Sequence, residues 1–471
     1  MRKEIQWLLD ASREQEKFET LQKPFMNWAV RSVIAAGGRP ILVGGCVRDL
    51  LLGRQSKDLD FEVYGLSAQQ LLAALNDYRP SVVGKSFGVI KAVDPIAGEI
   101  DFSLPREESK TGKGHRGFMV TVDPDLPFEV AASRRDFTIN AMGLDAHDNV
   151  LDPFGGQDDL AKGIIRHVGL KFAEDPLRIL RACRFASQLG FVIHHETVDV
   201  CKELAPALKE LPGERVFAEL EKLLLGKDPM LGVNYLQDTG AMSVILPEVA
   251  ALESFQQDPV WHPEGDAFAH TKFVVHAARQ VCERRGFDRE KTIAVMFGSL
   301  LHDVGKIQCT TIKDGCIKSP DHERVSGDMV PPIMERLKAP TKLTRQVQGL
   351  AALHMAFDRN EKPTVSAVRR LAQKLADFDL DVPMWAALIE ADHSGRPPKP
   401  PHNPVQKYEE IYAADEARAK PILMGRHLVD LGLEPGPEFR PILDKVFELQ
   451  LEGRVSTLDE AIAEAKRLIP E

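Results

Sequence analysis

No run in this chain approaches the roughly 18 consecutive apolar residues that a membrane-spanning helix needs. The opening MRKEIQWLLDASREQEKF also lacks the uninterrupted apolar core of a signal peptide. A cytoplasmic protein with no membrane partner is therefore expected. Cysteine is scarce: Cys46, Cys183, Cys201, Cys282, Cys309 and Cys316 stand apart, without CxxC spacing. Neither a zinc knuckle nor a disulfide framework is indicated, and the pattern fits a reducing cytosol. A basic excess is missing too, since the net charge is −10. That argues against wholesale coating of nucleic acid and leaves room for a local basic groove. What is present is length, because 471 residues suffice for two to four domains with buried cores.

The most informative stretch runs from Ile41 to Tyr64, ILVGGCVRDLLLGRQSKDLDFEVY. An apolar strand stops at Gly44-Gly45, a helical pattern carries Arg48-Asp49 to Gly53, and a second strand carries Asp58-Leu59-Asp60. Strand, glycine turn and helix form a layout that cradles phosphate, because glycine lets the backbone approach an anion and a helix start favours negative charge. Two aspartates one residue apart project to the same face of a strand. Their repulsion is relieved by a hard cation, so Mg²⁺ is the natural tenant. Metal plus triphosphate suggests in-line phosphoryl or nucleotidyl transfer.

Ser67 to Leu75 reads as a helix capped by Ser67. VVGKSFGVIKAV (82–93) reads as a glycine-punctuated hairpin leading to GEIDFS (98–103). Asp101 sits mid-strand, either as a third carboxylate beside the DLD strand or as a solvent-facing edge residue. REESKTGKGHRGF (106–118) has almost no apolar anchor and reads as a solvated loop. Arg134-Arg135-Asp136 opens a helical pattern with Phe137, Ala141 and Met142 on its apolar face. Its guanidinium groups suit bidentate phosphate contacts, and Asp136 could orient an arginine or a sugar. Asp152 to Leu160 reads as a turn. Asp175-Pro176 starts a helix on which Arg178 and Arg181 share a face.

GG-x-V-R-D followed by D-x-D, then RRDFTINAM, DPFGGQDDL and EDPLR, together resemble the class II nucleotidyltransferases: tRNA CCA-adding enzymes and bacterial poly(A) polymerases. The resemblance implies a polymerase-beta-like head with a small mixed or antiparallel sheet, an α+β fold, and then a mainly helical neck. It implies that Asp58, Asp60 and Asp101 are catalytic, with Asp58 and Asp60 on Mg²⁺. It further implies that Gly44, Gly45, Arg48, Asp49, Arg135, Asp136, Asp175, Arg178 and Arg181 bind CTP and ATP. Asp175 and Arg178 would read the base, and 106–118 would be a mobile loop beside the site. GERVFAELEKLLLG (213–226) resembles the family's neck helix. A tRNA partner is expected to be held at its acceptor stem by shape and phosphate contacts.

From about residue 255 the composition changes. His270 opens a helix, LLHDVGK carries His302-Asp303, and His322, His354 and EADHSGR with Asp392 follow. Imidazoles mixed with carboxylates suit a divalent transition metal, with Mg²⁺ as the other choice. The series resembles the HD-superfamily phosphohydrolases. That likeness implies His270, His302, Asp303 and Asp392 as a core ligand set, with His322 and His354 adding a second metal. RPPKPPHNP (396–404) reads as a semi-rigid elbow. Beyond it come two helical segments, VQKYEEIYAADEARA and TLDEAIAEAKRLI, with a possible short helix between them.

The reading therefore divides the chain into N-terminal helices (1–38), head (39–165), neck (166–254), HD body (255–396) and tail (397–471). Its expected activity is addition or repair of the 3′-CCA of tRNA, with an HD site acting on phosphate or 2′,3′-cyclic-phosphate ends. The rivals are an A-adding or poly(A) enzyme with the same head, and an HD-type hydrolase or regulator with an inactive head. The hairpin lacks a Gly-Arg-Arg-Phe run expected of a poly(A) polymerase. The oligomeric state is left open.

Overall fold

The computed structural model describes residues 25, 27–54, 58–83, 89–95, 97–110, 118–313, 316–357, 363–414, 421–451 and 453–469. These form two compact units, the first comprising the chain to Leu211 plus Asp238–Val244 and the second Pro212–Gln237 plus Ile245 onward. No helix among the described residues is long and apolar enough to cross a membrane.

The first unit is built on a mixed sheet of seven strands in the order β3-β4-β5-β2-β1-β8-β9. These are β1 Arg39–Val43, β2 Leu59–Tyr64, β3 Ser81–Val83, β4 Val89–Asp94, β5 Gly98–Ser103, β8 Gly143–Leu144 and β9 Val150–Leu151. One pair, β2 with β5, is parallel, and the chain between them supplies the crossover that parallel pairing requires. Alternation along β2 buries Leu59, Phe61 and Val63. Phe61 stacks on Phe102 of β5 with ring centroids 5.7 Å apart. The helix Trp28–Ala35 buries Ala29, Val30 and Val33. The other helix expected near the N-terminus lies outside the described residues. Ser67 caps the helix Ala68–Ala74 through a capping box with Gln70, as its sequence implies. The mixed sheet and the helix-rich remainder agree with the expected α+β class.

Three local expectations are corrected. Residues 106–118 are not all loop: β6 Arg106–Lys110 pairs antiparallel with β7 Phe118–Val122, forming a two-stranded ribbon. The segment from Arg134 to Met142 is not a helix. A short helix, Phe128–Ala132, precedes the arginines, Phe137 is extended, and only Thr138–Asn140 makes a 3₁₀ turn. Asp136 accepts from the N–H of Phe137, and Thr138 N–H donates to the carbonyl of Arg166, so long-range pairing takes the backbone out of the helical ladder. Asp152 does make a turn, but its carboxylate accepts from the N–H groups of Gly156 and Gln157 and so starts the helix Gly156–Lys162.

The second unit is almost wholly helical. Ala267–Arg284, Arg289–Leu301, His322–Arg336, Thr341–Leu353 and Val382–Ser394 pack around one another and bury Trp385, Phe297 and Val347. The first of these begins three residues before His270, because Asp266 caps it. The tail needs a further correction. Between Gln406–Ala414 and Leu458–Leu468 lie two helices, Gly425–Asp430 and Phe439–Leu451, rather than one short one. Leu428, Ile442, Val446 and Ala461 form their shared core.

Candidate active sites

Period-2 alternation carries Asp60 and Glu62 to the face of β2 opposite Phe61, and Asp58 immediately precedes the strand. The parallel register places Asp60 directly beside Asp101 of β5, so the expected neighbour of the DLD strand is found there. On its other side Asp101 faces Lys91 of β4, whose Nζ lies 3.3 Å from its carboxylate. The Asp60 carboxyl is raised above its usual range, first by desolvation and then by Asp101 and Asp58, while Arg135 pulls it back. Carboxylates crowded round Asp60 fit a divalent cation, which removes the repulsion between them.

The glycine turn abuts the same face. Gly44 has φ +85°, and a Cβ there would meet Nη1 of Arg135 at 3.0 Å. Both the left-handed backbone and the close guanidinium demand glycine at this position. Arg134 and Arg135 converge on Glu62, which is fully buried, at 3.6 and 3.4 Å.

Four of the other nucleotide-site candidates form one connected chain of contacts. Arg48 donates to Asp49 through Nε and Nη2, at 2.9 and 2.8 Å, and to Asn140 through Nη1 at 2.8 Å. Asn140 donates to Asp136 at 3.1 Å, and Arg181 meets the other Asp136 oxygen at 2.6 Å. Desolvation pulls the Asp136 carboxyl up, but Arg181 and Asn140 outweigh it and hold it below the usual range. The guanidinium groups of Arg48 and Arg181 both lie over the ring of Phe185, at 5.0 and 5.5 Å. Asp175 caps the next helix by accepting from Leu177 N–H. Arg178 donates to the carbonyls of Lys171 and Arg134, which ties the helix start to the arginine pair.

In the second unit the six expected residues come together. The ligand atoms of His270, His302 and Asp392 lie within 4.8 Å of one another, and so do those of Asp303, His322 and His354. Asp303 also reaches the first group, with Oδ2 3.2 Å from Nε2 of His302, while its Oδ1 is 3.2 Å from Nε2 of His322. One carboxylate therefore spans both triads.

Each ring is oriented from behind. Nδ1 of His302, His322 and His354 lies 2.9, 2.8 and 2.7 Å from the carbonyl three residues earlier. A carbonyl only accepts, so Nδ1 carries a proton, and in the neutral ring Nε2 then presents a lone pair to the cluster. His270 is held likewise by Glu264, at 2.7 Å. Burial, followed by His302 and His322, pushes His354 down to about 3, so this ring is neutral. Nε2 of His322 and of His354 stand 3.2 Å apart. Nε2 of His270 lies 3.0 Å from Asp392, and Nε2 of His302, 3.2 Å from Asp303, is likewise buried. Four inward lone pairs beside two carboxylates fit divalent cations, which would satisfy all of them at once.

Residues 41–166 match the poly A polymerase head domain, and 190–252 match the probable RNA- and SrmB-binding site of polymerase A. A multifunctional CCA protein of Neisseria gonorrhoeae is 40% identical over 318 residues, covering 67% of this chain and 73% of that protein. One from Halorhodospira halophila is 41% identical over 316 residues, covering 66% and 71%. The chain belongs to the class II tRNA nucleotidyltransferase family. Its fold is that of a Bacillus stearothermophilus CCA-adding enzyme solved with CTP, with a TM-score of 0.67 at 22% identity over 94% of this chain and 97% of that one. A Thermotoga maritima CCA-adding enzyme solved with tRNA gives 0.58 at 20% identity, over 93% and 92%.

Some residues around the sites of this tRNA nucleotidyltransferase relative escape sequence reasoning. Glu62 was readable as the third acid in the alternation that begins at Asp58. Glu264 lies six residues before His270 in an irregular loop, and no periodic signal ties the two. Lys306 and Arg396 stand beside recognised ligands, at 2.6 Å from Asp303 and from Asp392 respectively. Their sequence adjacency to those ligands was the available clue.

Proposed function

We propose that this chain adds or repairs the 3′-terminal CCA of tRNA in the cytoplasm, using CTP and ATP, and that its second unit hydrolyses phosphoesters at RNA 3′ ends. The observation that carries the first activity is the in-register pair Asp60 and Asp101, with Asp58 alongside and the Gly44–Arg135 contact adjoining. The relatives named above support it. In the reaction the tRNA 3′-hydroxyl oxygen forms a bond to the α-phosphorus, the α–β bridging bond breaks, pyrophosphate leaves, and the hydroxyl proton is lost. Asp58 and Asp60 would hold Mg²⁺, which would supply charge neutralisation for the triphosphate and the attacking oxygen. Asp101 adds negative charge beside Asp60 and can take up the proton. Arg135 binds phosphate, while Arg48, Asp136 and Arg181 fix the pocket wall through their shared network. Asp175 and Arg178, at the start of one helix, read the base. A carboxylate accepts from the exocyclic amine that cytosine and adenine share, which favours both over uracil and guanine.

For the second activity the supporting observation is the convergence of four Nε2 lone pairs on Asp303 and Asp392. These residues would hold a divalent metal, which would supply Lewis acidity for phosphoester cleavage by water. The protein contributes ring orientation, through the three carbonyls and Glu264, and cationic side chains, through Lys306 and Arg396.

The test uses one tRNA transcribed to the discriminator base, to C and to CC, incubated with Mg²⁺ and CTP, ATP or both. Extension of all three to CCA and no further is expected. Addition of A alone to the CC end would make the chain an A-adding enzyme, and unlimited A tails a poly(A) polymerase. No addition would leave only the HD site as the seat of function.

A further inference from the structure

Glu62 is out of character with its surroundings. It stands mid-strand on β2 between Phe61 and Val63, and it is fully buried. The antiparallel register sets it opposite Ile41 of β1, on the face that also carries Val43 and Tyr64. Leu151 covers that face, together with Phe128 of the short helix that leads into the arginines. The side chains of this layer are apolar or aromatic, and an aliphatic residue would extend it at less cost than a carboxylate.

What the carboxylate meets is the arginine pair, and the geometry is that of a tether, not of a tight fork. Both guanidinium groups reach the same oxygen, Oε2, at 3.6 Å from Arg134 and 3.4 Å from Arg135. Oε1 is buried with no hydrogen-bond partner among the described residues, and so is Nε of Arg135. A pair kept for stability would match two N–H groups to two oxygens, and even then apolar replacement is often neutral or better. Two cations on one anion also leave an excess of positive charge. The Arg135 guanidinium shows where that excess is presented. Its Nη2 is held by Glu62, while its Nη1 lies at the Gly44 turn, 3.0 Å from where a Cβ would stand. One end of the group is anchored in the interior, and the other adjoins the glycine turn.

We propose that Glu62 is a positioning residue for nucleotidyl transfer: its buried charge anchors Arg135 from beneath, so that the outer nitrogen meets a phosphate of the incoming nucleotide. The anchor stands two residues from Asp60, so a single strand places both the acid for the cation and the arginine for the phosphate. The carboxylate itself touches neither nucleotide nor tRNA. The proposal rests on the transferase reading above, in which Arg135 receives phosphate, and adds what aims it. Because base reading is assigned to Asp175 and Arg178, Glu62 acts on CTP and ATP alike.

The experiment uses the full chain with Mg²⁺ and compares the parent with Glu62→Gln, which keeps the shape and removes the charge. KM for CTP and for ATP should rise together, roughly 5- to 50-fold, with kcat changed less than about 3-fold. Inhibition by inorganic pyrophosphate, which brings phosphate without a base, should weaken by the same factor. Added to Arg135→Ala, Glu62→Gln should cause no further loss, because the anchor then has nothing to aim. Unchanged KM values, a fall in kcat alone, or additive losses in the double variant would overturn the proposal. Should Glu62→Gln fail to fold, Glu62→Asp decides. It keeps the charge but withdraws it by one methylene, so KM should rise about 3-fold, and an unchanged KM overturns the anchor. If the parent adds no nucleotide, the transferase reading fails separately, and calorimetric binding of pyrophosphate decides the present proposal. Weaker binding by Glu62→Gln than by the parent sustains it, and equal binding, or none by either protein, overturns it.

Discussion

In the first unit three acids crowd one strand-lined face, two of them side by side on parallel strands, and the nearest cations are arginines tied to Glu62 and a lysine shared with Glu99. In the second unit the acids are buried and every facing imidazole is already turned toward them. The first arrangement leaves negative charge to be neutralised by whatever arrives with the triphosphate. The second presents donors fixed in advance, which suits an ion that stays. The contrast is one of timing: a cation that comes and goes with substrate needs an open edge, whereas a resident one needs orientation from behind.

Four measurements can break or sharpen that contrast. The largest effect is expected from Asp60→Asn, which should lower CCA addition by about 10³-fold or more, since several kcal/mol of charge stabilisation leaves with the cation. Metal retained after gel filtration, measured by elemental analysis, should be unchanged in this variant. A loss of retained metal there would mean that the transferase centre also holds a resident ion. Asp303→Asn should empty both histidine triads together, because one carboxylate serves the two, while His354→Ala should empty only its own. Loss of a single equivalent in Asp303→Asn would show that the triads are independent. Glu264→Leu should weaken metal binding by about 10- to 100-fold in a competition with a chromogenic chelator, through lost orientation of His270. Unchanged affinity would dismiss the idea of orientation from behind.

The smallest effect concerns the wall of the transferase site. Asp136 is depressed in the folded state, so its pairing with Arg181 stabilises the fold above the unfolded carboxyl value of about 3.9 and is lost as pH falls below it. Asp136→Asn should cost about 1.5 kcal/mol at pH 7 in urea unfolding, with the gap to the parent protein closing below about pH 4. A gap independent of pH would mean that Asp136 acts by packing alone.

The carboxylate pair was legible in the sequence because strand periodicity is local: DLD fixes its own face wherever the strand pairs. That Asp101 lies beside it depends on sheet order, which alternation does not encode, so the sequence left a third carboxylate and an edge residue both open and the family resemblance favoured the first. The arginine segment misled for the converse reason. Phe137, Ala141 and Met142 have near-helical spacing, but the backbone answers to Arg166 and Asp136 instead. In the tail, Pro441 sits within the first turn of Phe439–Leu451, where its missing N–H has no intrahelical role. The histidine cluster was readable as a residue inventory. What orients its rings was not, since three of the four partners are backbone carbonyls, which every residue possesses.

The segment Asp238–Val244 belongs with the first unit although the chain on either side of it belongs with the second. Its Thr239, Ala241 and Met242 are fully buried, and Thr239 lies against Cys183. During synthesis from the N-terminus, the ribosome must therefore pass Val244, not Leu211, before the nucleotidyltransferase unit has all its parts. A fragment cut at the first apparent boundary would emerge with an unfilled core. Separating the nucleotidyltransferase from the proposed phosphohydrolase for individual study is thus a task for point substitutions at Asp60 and Asp303, and not for a protease or a stop codon.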